Sequence, residues 1–412
     1  MEMILIWFVL LLSFFGLGYL LATRRRVSQA EAAPPPGPSP ETMASIEQRV
    51  SSVLRVAGHK SYGDMVQFEG VLRTSSTEAM SQLKSAFQPD HLTPLLQQGD
   101  GDEVRVLLLP ARAEWSEPEK PKWWLHGLLV ALTLVTTTWA GALHAGVNLL
   151  EQPGQFTIGL PYALALMLIL GAHELGHYIT ARRYGIRVTP PFFIPVPFAL
   201  GTFGAFIKIK SVSPTRRAVF DVAVAGPLAG LVFAIPALLI GIGNSKVVPV
   251  ESTVGGMHVG LHLGSSFMMA MLAKLALGPA VTEGHRLLLD PMAFAGWLGL
   301  LVTALNLLPI GQLDGGHMTH ALFGGRRGHS ISVAGLVMLF ALALFVWPGL
   351  MLWAFVVWFI AGTYDMPPAN DLMPLNASRR ALGYCMYLLL AMILVPVPPE
   401  LYRVVGLGSP YL

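Results

Sequence analysis

Apolar and polar positions along this chain fall into long blocks rather than the short alternations of a soluble domain. Apolar runs occupy Met3–Leu21, Trp123–Val147, Leu160–Ala181, Ala218–Ile242, Pro291–Leu308, Ile331–Val346, Leu350–Gly362 and Ala381–Val395. Crossing a bilayer core as a helix takes about 20 mainly apolar residues, so these runs predict an all-α polytopic membrane protein of about seven or eight spans. The run from Leu350 is short and follows Trp347-Pro348-Gly349. It forms a tight hairpin with its neighbour or only a partial span.

Between the first two runs the pattern changes. Ala30–Thr42 is proline-rich and reads as an extended linker. From Met43 to about Glu117 the chain is polar, with a helix predicted through SIEQRVSSVLRVAG, a strand in VQFEGVLR (Val66–Arg73), a helix in STEAMSQLKSAF and a strand in EVRVLLLP (Glu103–Pro110). The expected layout is an amino-terminal transmembrane anchor (1–22), a linker (23–42), a small soluble α/β domain on the cytosolic side (43–118) and an integral-membrane domain (119–412). The soluble domain is equally readable as a spacer or a sensor.

Composition sharpens this picture without redirecting it. Of 412 residues 53% are hydrophobic and 12% charged, which is too oily for an ordinary soluble enzyme. A net charge of +3 gives no reason to expect a nucleic-acid partner. The basic residues report orientation instead. Met3–Leu21 has none ahead of it, is followed by Arg24, Arg25 and Arg26, and lacks a clear cleavage site, so it reads as a retained anchor rather than a secretory signal. Threading the runs alternately with the triple arginine inside puts Arg182, Arg183, Arg187, Lys208, Lys210, Arg216, Arg217, Arg326, Arg327, Arg379 and Arg380 on the cytoplasmic side, against Lys246, Lys274, Arg286 and Arg403 opposite. The single cysteine, Cys385, lies in an apolar run and forms no internal disulfide.

One of the apolar runs contains His173-Glu174-Leu175-Gly176-His177. Residues four apart share a helix face, so both imidazoles reach one ion while Glu174 lies beside it, and the donor set suits zinc. Ionisable groups in a span are costly and are retained for function. Glu174 precedes Arg182 by eight residues, about 12 Å at a helical rise, which sets the motif inside the cytoplasmic end. A catalytic zinc needs a third ligand. Asp314, in LNLLPIGQLDGGHMTH (Leu305–His320), is the best candidate, because its span ends at the same side and two glycines follow it. Taken alone, Asp314 also suits the cap of a short helix. His317 and His320 are rival ligands or polar lining, and Asn306 is a helix-packing group or a substrate contact.

The paired motifs resemble the site-2 proteases, intramembrane zinc metalloproteases: HELGH, AGP at Ala225–Pro227, then NLLPIGQLDGG, in that order over roughly Trp123 to Met373. The resemblance implies one zinc per chain held by His173, His177 and Asp314, Glu174 as catalytic base, and Asn306 at the scissile peptide. Many bacterial relatives carry a PDZ domain between the motif-bearing spans. Here the loop Gly243–Asp290 is too short for one, so the chain looks like the PDZ-less branch of cyanobacteria and chloroplasts. A bacterial plasma membrane, with the active site towards the cytoplasm, is the expected setting.

The substrate expected is a single-span membrane protein, cut near its cytoplasmic end in regulated intramembrane proteolysis. Its helix must unwind before a peptide bond is accessible. The segment TPPFFIPVPFALGTFGAFIKIKS (Thr189–Ser211) is too rich in proline for a helix. It predicts a re-entrant β-hairpin that either pairs with substrate, through Gly201, Gly204 and Phe206, or simply plugs the space between helices. Two other function classes use similar residues: a membrane zinc transporter, which needs polar groups spread along a path, and an inactive binding scaffold, which has no use for Glu174.

Overall fold

The computed structural model describes residues 39–99, 101–110, 121–197, 200–249, 266–278, 285–345 and 350–395. The expected anchor and most of the linker lie outside these residues. The chain divides into two compact units, one of residues 1–117, 333–362 and 366–373, the other of residues 118–332, 363–365 and 374–412.

In the first unit, Ser39 accepts a hydrogen bond from the Thr42 N–H and Pro40 occupies the first turn, which starts helix α1 (Pro40–Ser51) inside the stretch expected to be linker. Strands β1 (Leu54–Tyr62) and β2 (Met65–Leu72), helix α2 (Ser76–Phe87), and strands β3 (Leu92–Gln98) and β4 (Val104–Pro110) follow. The strands form one antiparallel sheet in the order β1-β2-β4-β3. Alternate residues Val66, Phe68, Val106 and Leu108 are buried, as are Leu83 and Phe87 of α2. The helix expected to run to Gly58 stops at Ser51, and Leu54, Arg55 and Val56 pair with β2 instead. Strand β3 was hidden by Pro94, which a sheet edge tolerates. That edge is closed by a later segment: the Leu96 N–H donates to Ala369 O at 2.7 Å and the Asp371 N–H donates to Leu96 O at 2.9 Å.

The second unit contains helices α3 (Trp123–His144), α4 (Leu160–Arg183), α5 (Arg216–Asn244), α6 (Phe267–Leu277), α7 (Pro291–Asn306), α8 (Asp314–Phe323), the start of α9 (Gly325–Phe345) and α11 (Ala377–Leu394); α9 continues into the first unit, where α10 (Leu350–Ile360) follows. Helix α4 packs along α5, and α7 lies against both. Ile169, Leu231, Ala234, Leu238 and Leu300 fill the space between these three, and Phe220, Leu307, Met318 and Met386 fix α8 and α11 to α5. Strands β5 (Phe192–Pro195) and β6 (Thr202–Phe206) form a hairpin, and β7 (Lys246–Pro249) pairs with β8 (His285–Leu288).

Among the described residues five helices, α3, α4, α5, α9 and α11, are long and apolar enough to cross a membrane. Five of the eight expected runs form such helices, two form shorter ones, and the run Met3–Leu21 lies outside the described residues. The run Pro291–Leu308 forms a helix of 16 residues and the run from Leu350 one of 11, about 24 and 17 Å long against a hydrocarbon core of about 30 Å. The loop Gly243–Asp290 carries α6 and the β7–β8 pair, which its sequence did not announce.

Candidate metal centre

Helix α4 presents His173 and His177 one turn apart, and both are buried with Glu174 between them. Their Nε2 atoms lie 3.1 Å apart. Asp314 Oδ2 lies 3.4 Å from Nε2 of His173 and 3.3 Å from Nε2 of His177. Two ligand atoms at 2.0–2.1 Å from a tetrahedral zinc stand about 3.3–3.4 Å apart, so this triangle has the dimensions of one face of such a site. Asp314 Oδ2 is also buried without a hydrogen-bond partner, a costly position for a carboxylate oxygen that a bound cation relieves. Nitrogen and oxygen donors of this kind fit zinc. Two histidines and an aspartate leave the fourth position for water or substrate.

The alternative role of Asp314 as a helix cap does not hold. It is the first residue of α8, the cap position belongs to Leu313, and no side chain caps the helix. Its carboxylate faces the imidazoles of α4 instead. His317 and His320, the rival ligands, turn to Asp365, with Nδ1 of His317 2.7 Å from Oδ1 and Nδ1 of His320 3.6 Å from Oδ2.

Helix α5 supports the site from behind. Nδ1 of His177 lies 2.8 Å from the Val222 carbonyl, a hydrogen bond that leaves Nε2 unprotonated for a metal. A methyl group on Gly226 would fall 2.1 Å from His177 Nε2. The AGP motif thus gives the imidazole the space a side chain would fill. Asp221, one residue before Val222, is held in a bidentate pair by Arg379 of α11, at 2.7 Å for each bond, and also accepts from the Tyr184 hydroxyl just past α4. Burial and the Asp221 carboxylate together push the Tyr184 phenol above its ordinary value.

Bidentate geometry makes the Asp221 pair worth more than an exposed salt bridge. Arg379→Ala is expected to cost about 1–2 kcal/mol, visible as a lower thermal midpoint in detergent, with zinc still bound. Sequence reading passed over Asp221, although an ionisable residue inside a span was the signal that could have found it.

The residues expected to contact substrate are not all placed alike. Asn306, at the end of α7, has its Nδ2 3.3 Å from Nε2 of His173, directly beside the metal position. The hairpin is fastened to the helices at its turn, where Thr136 donates to Gly201 O at 2.7 Å and Tyr162 donates to Leu200 O at 2.9 Å, and at its start, where Nδ1 of His126 lies 2.9 Å from Pro191 O. Gly201 has φ +79° and a Cβ there would lie 2.5 Å from Thr137 Cα, so its glycine is needed for packing against α3. Gly204, at φ +97°, has open space around it and Phe206 is exposed. Ile207, next after β6, sets its backbone N–H beside the Glu174 carboxylate.

Residues 161–348 match the model of peptidase family M50. Among curated proteins the chain is similar to a probable chloroplastic zinc metalloprotease, EGY2, of Arabidopsis thaliana, 30% identical over 83% of this chain and 62% of that one. It is similar also to EGY1 of the same plant, 29% identical over 74% of this chain and 59% of that one, and to EGY3 of Oryza sativa subsp. indica, 31% identical over 69% and 51%. Both are likewise named probable zinc metalloproteases of chloroplasts. The 83% covered in the first comparison exceeds what residues 119–412 can supply, so that likeness reaches into the amino-terminal part. The chain spans about six-tenths of the length of the first of these relatives. No solved structure matches it.

Proposed function

Because the chain carries a domain of peptidase family M50, the site-2 protease family, we propose that it is a zinc metalloprotease that hydrolyses a peptide bond within a membrane-spanning substrate. The observation that carries this reading is the triangle of His173, His177 and Asp314 with Glu174 beside it, in the middle of a helix of membrane length.

Zinc, when bound by these three side chains, supplies a Lewis acid that polarises the scissile carbonyl and acidifies water. Glu174 takes a proton from the attacking water and returns it to the leaving amine as the C–N bond breaks. Asn306, beside His173, directs its amide N–H at the oxygen of the scissile peptide. A substrate helix must open before it is cut, and its freed backbone groups need partners in a medium without water. The exposed face around Gly204 and Phe206 supplies an edge for that pairing, with the Ile207 amide bringing the hairpin to Glu174. Gly201 serves to fix the turn.

The substrate we propose is a single-span membrane protein, cut near one face of the bilayer so that a soluble fragment leaves. The basic residues cluster at the ends of α4, α5, α9 and α11, which supports a cytoplasmic or equivalent inner side for the site. A bacterial plasma membrane, expected from the sequence, gains nothing from relatives named chloroplastic. The orientation relative to the basic side is what the chain itself supports.

Metal removal tests the reading. Dialysis of the reconstituted protein against a strong chelator is expected to abolish cleavage of a tagged single-span reporter, and one equivalent of zinc per chain to restore it. Cleavage that persists in protein shown by elemental analysis to be metal-free would contradict it.

A further inference from the structure

Outside the metal triangle lies a second cluster that the proposed reaction has not used. His317 stands three residues after Asp314 on α8, which puts the two on one face of the helix. Its ring is near enough to Asp314 and His177 to interact with both electrostatically. Nδ1 of His317 is 2.7 Å from Asp365 Oδ1. That is shorter than the roughly 3.3 Å between two ligand atoms on one tetrahedral zinc, so the pair is a hydrogen-bonded dyad and not half of another metal site.

The Asp365 side chain is 7% exposed, and its Oδ2 is buried without a hydrogen-bond partner. A buried carboxylate needs a compensating positive charge, and His317, 2.7 Å from Oδ1, is nearer to it than His320, whose Nδ1 stands 3.6 Å from Oδ2. A protonated His317 gives its Nδ1–H to Asp365 and keeps Nε2–H for something else. Its side chain is 28% exposed, against 7% for Asp365. The loop bearing Asp365 is itself pinned: Nδ1 of His329 lies 3.0 Å from Thr363 O, and the Tyr364 ring packs on His329 with centroids 4.7 Å apart.

We propose that the Nε2–H of His317, oriented by Asp365, hydrogen-bonds the carbonyl oxygen of the peptide under attack, opposite Asn306. This deepens the proteolytic reading and rests on it. As water adds to the carbonyl carbon, negative charge gathers on that oxygen, and a fixed cationic donor stabilises it more than it stabilises the bound substrate. His317 keeps its proton throughout. Glu174 still carries the proton that passes from water to the leaving amine. His317 is then a catalytic residue and Asp365 a positioning residue.

The experiment uses full-length protein in liposomes with a tagged single-span reporter whose apolar segment, about 20 residues long, contains Asn and Gly to weaken its helix. His317→Ala and Asp365→Asn are expected to lower kcat by about 10–100-fold, with KM within about twofold and zinc per chain unchanged. His317→Gln keeps an N–H donor and is expected to recover part of the loss. Unchanged kcat in His317→Ala would overturn the inference. So would zinc lost in step with activity, since His317 would then merely hold α8 in place. Glu174→Gln is measured alongside: if it is inactive while His317→Ala is fully active, this inference alone fails. If Glu174→Gln cleaves like the wild type, the proteolytic reading fails and this inference with it.

Discussion

Gly226→Ala is expected to strip the protein of zinc and to abolish cleavage, although it adds one methyl group and changes no ligand. The added carbon would stand 2.1 Å from Nε2 of His177 and 2.5 Å from its Cδ2 and Cε1, well inside the contact distance of about 3.5–4.0 Å. A flexible side chain normally swings aside, but this ring is tied to the Val222 carbonyl through Nδ1 and faces His173 and Asp314 through Nε2. Moving it breaks the triangle. Elemental analysis of purified protein should show zinc falling to about a tenth of the wild-type content or less, on the scale of one lost ligand. Gly230→Ala is the control. Its methyl group meets His173 at 3.4 Å, an ordinary contact, and zinc is expected to stay. Retention of zinc and activity in Gly226→Ala would mean that α5 does not back the site as described.

The second large effect comes from Glu174→Gln. The replacement has the same shape and no basic oxygen pair, and Glu174 is no part of the ligand triangle. Zinc content and thermal stability should therefore be preserved. Cleavage is expected to fall by about 10³-fold, within the range for loss of a general acid–base group. Single-turnover assays with the reporter distinguish this from slow substrate entry, because a chemical defect lowers the rate after binding and leaves the bound fraction intact. A loss of zinc in this variant would instead make Glu174 a ligand, and the assignment of base and ligands would have to be redrawn.

Much of the site was legible because its chemistry depends on helical spacing. His173 and His177 at four apart announce a shared face, and burial of such groups in an apolar run announces a purpose. Asp314 was recognisable only by its partner motif, since a lone aspartate before two glycines reads equally well as a cap. What brings it to α4 is the packing of Leu307 and Met318 against α5, which no local pattern encodes.

Supporting residues were harder to see for the same reason. Asp221 and Arg379 are 158 residues apart in sequence, and Asp365 sits in a proline-flanked stretch with no motif around it. In the sheet, the apolar positions Ile46, Val50, Val53 and Leu54 continue a helical spacing past Ser51, so the strand that begins at Leu54 emerges only from pairing with β2. Hydropathy alone does not report span length. An 11-residue helix can be entirely apolar and still not cross a bilayer.

The reaction proposed is hydrolysis inside a membrane segment by Glu174 and a metal bound by His173, His177 and Asp314. Its most direct test is mass spectrometric mapping of the products formed from a single-span reporter in liposomes by wild-type and Glu174→Gln protein. New termini are expected at a peptide bond within the apolar segment, towards its basic-side end, in the wild type only. Termini confined to the soluble flanks, or the same products from both proteins, would contradict it.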